Sequence, residues 1–143
     1  MISRRPLVWA IVFIVGGIEV QPTYDVWDIV PGRNVDGRIE AVIDDWEGFR
    51  VLFRDYDTDR IIRIFFDSRL AFLGRDESDV VGEAARSEGL GRGCFYRARN
   101  SEFAARFIAD TARHYDLIEH YLIVTDTDCV DVLTTKPPHI TLL

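Results

Sequence analysis

The chain has 143 residues, 48% of them apolar and 12% aromatic, with 24 acids against 17 bases for a net charge of -7. At this length folding buries roughly two-thirds of the unfolded surface, enough for one core without disulfide or metal staples. The composition excludes a disordered tail and a basic nucleic-acid binder, and the acidic balance favours basic protein partners over phosphates.

At the amino terminus, Ser3-Arg4-Arg5-Pro6-Leu7-Val8 followed by Trp9 through Val15 loosely imitates a twin-arginine or secretory signal. No small-x-small cleavage site follows before Glu19. The apolar run from Leu7 to Ile18 would measure about 18 Å as a helix, short of the roughly 30 Å hydrocarbon core, so no transmembrane span is expected. A buried strand rich in Val, Ile and Phe is the preferred reading of residues 1–17, with a short buried helix and a targeting segment as alternatives.

Ile18, Val20, Tyr24 and Val26 then alternate with Glu19, Gln21, Thr23 and Asp25, which predicts a half-buried strand bent at Pro22. Pro31-Gly32-Arg33-Asn34 closes it as a turn. A further strand, Gly37 to Ile43, sets Ile39, Ala41 and Ile43 on one face.

From Phe49 to Gly74 the alternation predicts a three-stranded antiparallel meander. If Asp55 lies across from Arg60, then Phe53 faces Ile62, Val51 faces Ile64 and Phe49 faces Phe66, one wholly apolar face. Arg54 then meets Ile61, Leu52 meets Arg63 and Arg50 meets Phe65 on a mixed face, and a one-residue slip would destroy this segregation. Asp67-Ser68 is expected to turn the chain into the third strand, Arg69 to Gly74.

Asp76-Glu77-Ser78-Asp79 caps a short helix ending by Gly89. Cys94 to Arg99 reads as a strand. Asn100 or Ser101 caps a longer helix in which Phe103, Ala104, Phe107, Ile108, Thr111, Ala112 and Tyr115 form the apolar face. A hairpin, Glu119 to Thr125 and Asp128 to Thr134, precedes a tail at residues 135–143. The expected fold class is α+β, a single domain over 1–143 with one antiparallel sheet of about six to eight strands and two helices on one face.

Asp55, Asp57 and Asp59 between the first two meander strands present the oxygen ligands that Ca²⁺ or Mg²⁺ needs. The calcium-loop pattern fails there, because Arg60 stands where its glycine belongs and Phe66 where its bidentate glutamate belongs. Gly89-Leu90-Gly91-Arg92-Gly93 precedes a strand rather than the helix a phosphate loop requires. In the terminal hairpin, Asp126-Thr127 as the turn sets Ile123 opposite Val130 and Tyr121 opposite Val132, leaving His120, Leu122, Val124, Cys129, Asp131 and Leu133 on the other face. His120 and Cys129 would lie roughly 13 Å apart along the ladder, too far for proton transfer, whereas Asp131 can hold His120 diagonally. His114 suits the dipole at the end of the long helix, and His139 follows Pro137-Pro138 in the tail. No histidine or cysteine spacing suggests a transition metal, so neither metal nor cofactor is expected. The two cysteines, Cys94 and Cys129, carry no disulfide-framework or zinc-knuckle spacing, which points to a reducing, cytoplasmic compartment.

Arg54 to Ile64, Phe95 to Phe103 and His120 to Leu133 together resemble an uncharacterised group of small bacterial proteins, over roughly residues 38–138. That resemblance implies a bacterial one-domain protein and transfers no catalytic residue. In size and acidity the chain is also similar to bacterial toxin-immunity proteins. The leading expectation is a non-enzymatic module that binds a basic protein through an acidic and aromatic surface, Trp46, Asp55, Tyr56, Asp57 and Asp59, with Trp27 a further near-turn aromatic. A homo-oligomer stays open. The alternative is a small hydrolase or transferase using His120, Asp131 and Cys129 or the glycine loop, which requires titratable groups to converge in one pocket.

Overall fold

Period-two alternation organises the centre of the molecule. The computed structural model describes residues 13–15, 18–20, 22–76, 90–91, 93–111 and 115–143. In chain order these form β1 (Phe13–Val15), β2 (Ile18–Val20), β3 (Thr23–Val26), β4 (Gly37–Asp45), β5 (Gly48–Asp55), β6 (Ile61–Phe66), β7 (Arg69–Asp76), β8 (Phe95–Arg99), α1 (Glu102–Asp110), β9 (Glu119–Val124), β10 (Asp128–Thr134) and β11 (His139–Leu142). Most of the amino-terminal apolar segment (1–12 and 16–17), the expected helix at 77–89 and His114 lie outside the described residues.

The β5–β6 register is the one expected from alternation, with Phe49 opposite Phe66, Val51 opposite Ile64 and Phe53 opposite Ile62. All six of these side chains are buried. The β9–β10 hairpin likewise sets Ile123 against Val130 and Tyr121 against Val132. These two hairpins belong to different sheets, one ordered β3-β8-β9-β10-β7 and the other β11-β6-β5-β4, while β1 and β2 pair separately. Phe53 packs on Phe95 at 4.7 Å between ring centroids and Phe66 on Tyr121 at 5.8 Å, so the core is the space between the two sheets.

The α+β expectation is therefore corrected: nine of the eleven described strands form two antiparallel sheets, and the described residues include one short helix. An alternating strand shows that one face must be covered and leaves the cover unspecified, and here a second sheet covers it where helices were expected. The third meander strand is corrected too. β7 leaves β6 at Asp67-Ser68, pairs with β10, and meets Phe49 through Phe72 at 4.6 Å. The edge of β6 is taken by β11, so the expected tail is a strand, with Ile140 opposite Ile64. In β4 a bulge at Glu40 puts Ile39 opposite Phe53 and Val42 opposite Val51, while Ala41 and Ile43 turn to the other face. The helix also ends early: Thr111 is extended and caps it, and Ile108 is exposed. No helix among the described residues is long and apolar enough to cross a membrane.

β4 and β5 approach closely at Gly37, where a Cβ would stand 1.9 Å from the Arg54 carbonyl oxygen. Gly37→Ala should therefore cost about 1–3 kcal/mol, seen as a lower urea midpoint at unchanged slope. An unchanged midpoint would refute this close approach.

Candidate functional site

The outward face of the five-stranded sheet carries a buried polar cluster. On β9, His120 points away from the core, and on β10 Asp131 stands opposite Leu122, diagonal to His120. Their side chains meet at 2.7 Å, His120 Nε2 to Asp131 Oδ1. From β7, Arg75 donates through Nη2 to Asp131 Oδ2 at 2.7 Å. The other ring nitrogen, Nδ1, lies 2.7 Å from Ser101 Oγ. Ser101 is the N-cap of α1, and its hydroxyl oxygen accepts the Ala104 N–H at 2.9 Å. Cys129 completes the group, its Sγ 3.8 Å from Asp131 Oδ2, while its strand register keeps it four rungs from His120.

Arg75, His120 and Asp131 are nearly solvent-free. Burial pushes the Asp131 carboxyl up, but the hydrogen bond and charge of His120 and the charge of Arg75 outweigh it and hold the group below the ordinary carboxylate range. The line Ser101–His120–Asp131 has the connectivity of a hydroxyl, imidazole and carboxylate proton relay. Its surroundings oppose that use. The serine oxygen is committed to the helix cap, and the adjoining pocket, bounded by Tyr24, Leu73, Glu102 and Phe103 with Arg75, His120 and Asp131, offers 30 Å³. That volume suits a water and no acyl substrate. Two of these residues escaped sequence reasoning in this role: Ser101 was legible only as a cap, and Arg75 only once β7 is known to lie beside β10.

The acidic tip between β5 and β6 is a self-paired turn. Asp55 is 2% exposed and receives both Nη groups of Arg33, with further bonds from the Asp57 N–H at 3.0 Å and the Thr58 hydroxyl at 3.0 Å. The Arg33 hydrogen bonds hold the Asp55 carboxyl below its usual range against the effect of burial. Asp57 also binds Arg33, and Asp59, in the left-handed region at φ 56°, binds Arg54. Glu40 shares Arg54 and also binds Arg38, and Arg60 donates to the Leu143 carbonyl oxygen at 3.0 Å, so four acids stand with four arginines and the tip is near charge balance. Tyr56 is half exposed there.

Trp46 lies at the opposite end of β5, on the β4–β5 turn, so the expected partner residues do not form one patch. It is 91% exposed. It is one of the residues lining an open cleft of 310 Å³, together with Phe65, the edges of the buried Phe49 and Phe66, Asp44, Asp45, Glu47, Asp67 and Arg69. Gly48 holds φ 119°, and a Cβ there would lie 2.5 Å from the Phe65 ring, so the turn is bare backbone laid over an aromatic. Trp27, by contrast, packs on Tyr121 at 4.7 Å and on Phe95 at 5.6 Å and belongs to the core.

Elsewhere, burial pushes the Cys94 thiol up to about 12, so it stays protonated and unreactive. The Gly91 N–H is spent on the Tyr96 hydroxyl at 3.2 Å, and β8 follows the glycine loop. Among the described residues no group of three or more His, Cys, Asp or Glu is placed to hold a metal ion. Comparison with protein-family models, curated proteins and solved structures finds no match.

Because its pKa is lower in the folded state than unfolded, Asp131 contributes stability above the unfolded value of about 3.9 that is lost as pH falls through the lower folded value. Asp131→Asn should cost about 3–5 kcal/mol near neutral pH by stripping this carboxylate from Arg75 and His120. The variant's urea stability should also fall less steeply below pH of about 4. Parental stability in this variant would show that the network is not structural.

Proposed function

We propose that this chain is a binding module for a basic protein, without chemistry of its own, docking through the Trp46 end of the four-stranded sheet. The observation that carries this reading is the 91% exposure of Trp46 beside a cleft with an acidic rim. A large indole in water is costly to the free protein and is the side chain most enriched among interface hot spots. The rim adds a sign. Four carboxylates, Asp44, Asp45, Glu47 and Asp67, stand with Arg50, Arg69 and the Arg63 that lies over Phe65, so four minus three leaves one negative charge at the cleft. The Asp55–Asp59 tip lacks that surplus, which moves the docking surface away from it. A bacterial, cytoplasmic, immunity-like role accords with the acidic balance and belongs to the same proposal.

Affinity capture from native lysate should recover a stoichiometric basic protein at about 50 mM salt, with less retained at about 300 mM. A variant with Glu47→Lys and Asp67→Lys should lose it, and one with Asp57→Lys and Asp59→Lys should keep it. Failure to recover any such protein at low salt counts against the reading.

A second reading, acyl transfer by Ser101 with His120 as base, is favoured by the two 2.7 Å contacts of the imidazole. The cap and the 30 Å³ of the adjoining pocket weigh against it. A fluorophosphonate probe should leave Ser101 unlabelled in the folded protein. Stoichiometric labelling that disappears in His120→Ala would install the enzyme reading instead.

A further inference from the structure

Resting on the proposed docking surface, we infer that the cleft beside Trp46 receives an arginine side chain of the basic partner, its guanidinium stacked on the indole and bonded to Glu47 and Asp67.

The rim carboxylates are unequally engaged. Asp44 receives Arg69 Nη2 on both oxygens, at 2.8 and 2.7 Å, and Asp45 receives Arg50 at 2.8 Å. Glu47 meets Arg50 only at 3.4 Å, and Asp67 meets the exposed His139 and the Ser68 hydroxyl, each at 3.3 Å. Both of the loosely held acids line the same cleft as Trp46. A cation entering there gains two carboxylates without displacing the short pairs.

The pole already seats arginines in this way. Arg69 places its guanidinium carbon 5.7 Å from the Phe49 ring and 5.7 Å from Phe72 while bonded to Asp44. Arg63 lies 4.9 Å over Phe65, whose ring also forms a wall of the cleft. An exposed indole beside Phe65 and two loosely held carboxylates suits a planar, weakly hydrated cation that both stacks and forks, which is arginine more than lysine. At 310 Å³ the space is near the lower limit of about 300 Å³ for small-ligand pockets, so it takes one side chain rather than a folded element.

The test titrates the full chain with octa-arginine and octa-lysine peptides by calorimetry at about 50 mM salt. Octa-arginine should bind more tightly than octa-lysine. Trp46→Ala should weaken it roughly 5- to 30-fold, the equivalent of a desolvated cation–π contact. Trp46→Phe should recover part of that loss, and Glu47→Gln with Asp67→Asn should remove most of the preference for arginine. All these side chains are at the surface, and circular dichroism checks that each variant is folded. Octa-arginine affinity unchanged within twofold in both Trp46→Ala and the double variant overturns the inference, as does absence of binding to the parent chain. Neither result touches capture of a basic protein in the lysate experiment, which decides the docking reading separately.

Discussion

The rest of the molecule depends on the opposition of two apolar sheet faces. Phe49, Val51, Phe53, Ile62, Ile64 and Phe66 from one sheet meet Phe95, Tyr121, Ile123, Val130 and Val132 from the other. Each such apolar side chain contributes roughly 1.5–3 kcal/mol when fully buried, so together they outweigh any single polar contact in the fold. The five-stranded sheet is buried on its second face as well, where Tyr24, Tyr96, Leu122 and Cys129 cluster. Its central strands are therefore covered on both sides, and any polar group on them must find a partner inside the protein. His120 and Asp131 are the groups caught in that position.

This origin explains why a hydroxyl, an imidazole and a carboxylate lie in line without forming an evident active site. Buried charge is tolerable only when paired and hydrogen-bonded, and Arg75, His120 and Ser101 supply those partners to Asp131 and to one another. The same contacts tie β7, β9, β10 and the start of α1 into one unit. A catalytic relay needs in addition a reachable nucleophile and room for a reacting carbonyl. Here the nucleophile position is occupied by a helix cap.

Local pairings were legible in the sequence and distant ones were not. The β5–β6 and β9–β10 registers follow from alternation across short connections, because a one-residue slip would turn Phe53 or Ile123 away from the core. β7 carries the same kind of pattern, yet its partner β10 lies more than fifty residues on, and nothing local tells Leu70 to Leu73 to leave β6. That error concealed Arg75. The strand His139–Leu142 was read as tail because Pro137-Pro138 precedes it and its four residues barely show a period. The bulge at Glu40 was equally hidden, since a bulge changes which residues share a face without changing their composition.

The two ends of the four-stranded sheet show how one set of residue types yields opposite surfaces. At the β5–β6 tip, Asp55 is drawn inward by Arg33, and its backbone and hydroxyl donors organise the turn, so acid there is structural. At the β4–β5 turn, Asp45 does comparable work by accepting the Glu47 N–H at 2.9 Å and the Arg50 guanidinium. The space beneath Gly48, however, is already filled by the Phe65 ring. Trp46, on the same turn, is 91% exposed, so the indole stays in water beside an open cleft. Charge at an interface rim steers association and sets its salt dependence, whereas burial of a central aromatic supplies most of the affinity. In the proposed docking the acidic residues therefore set the sign of the partner, and Trp46 the point of contact.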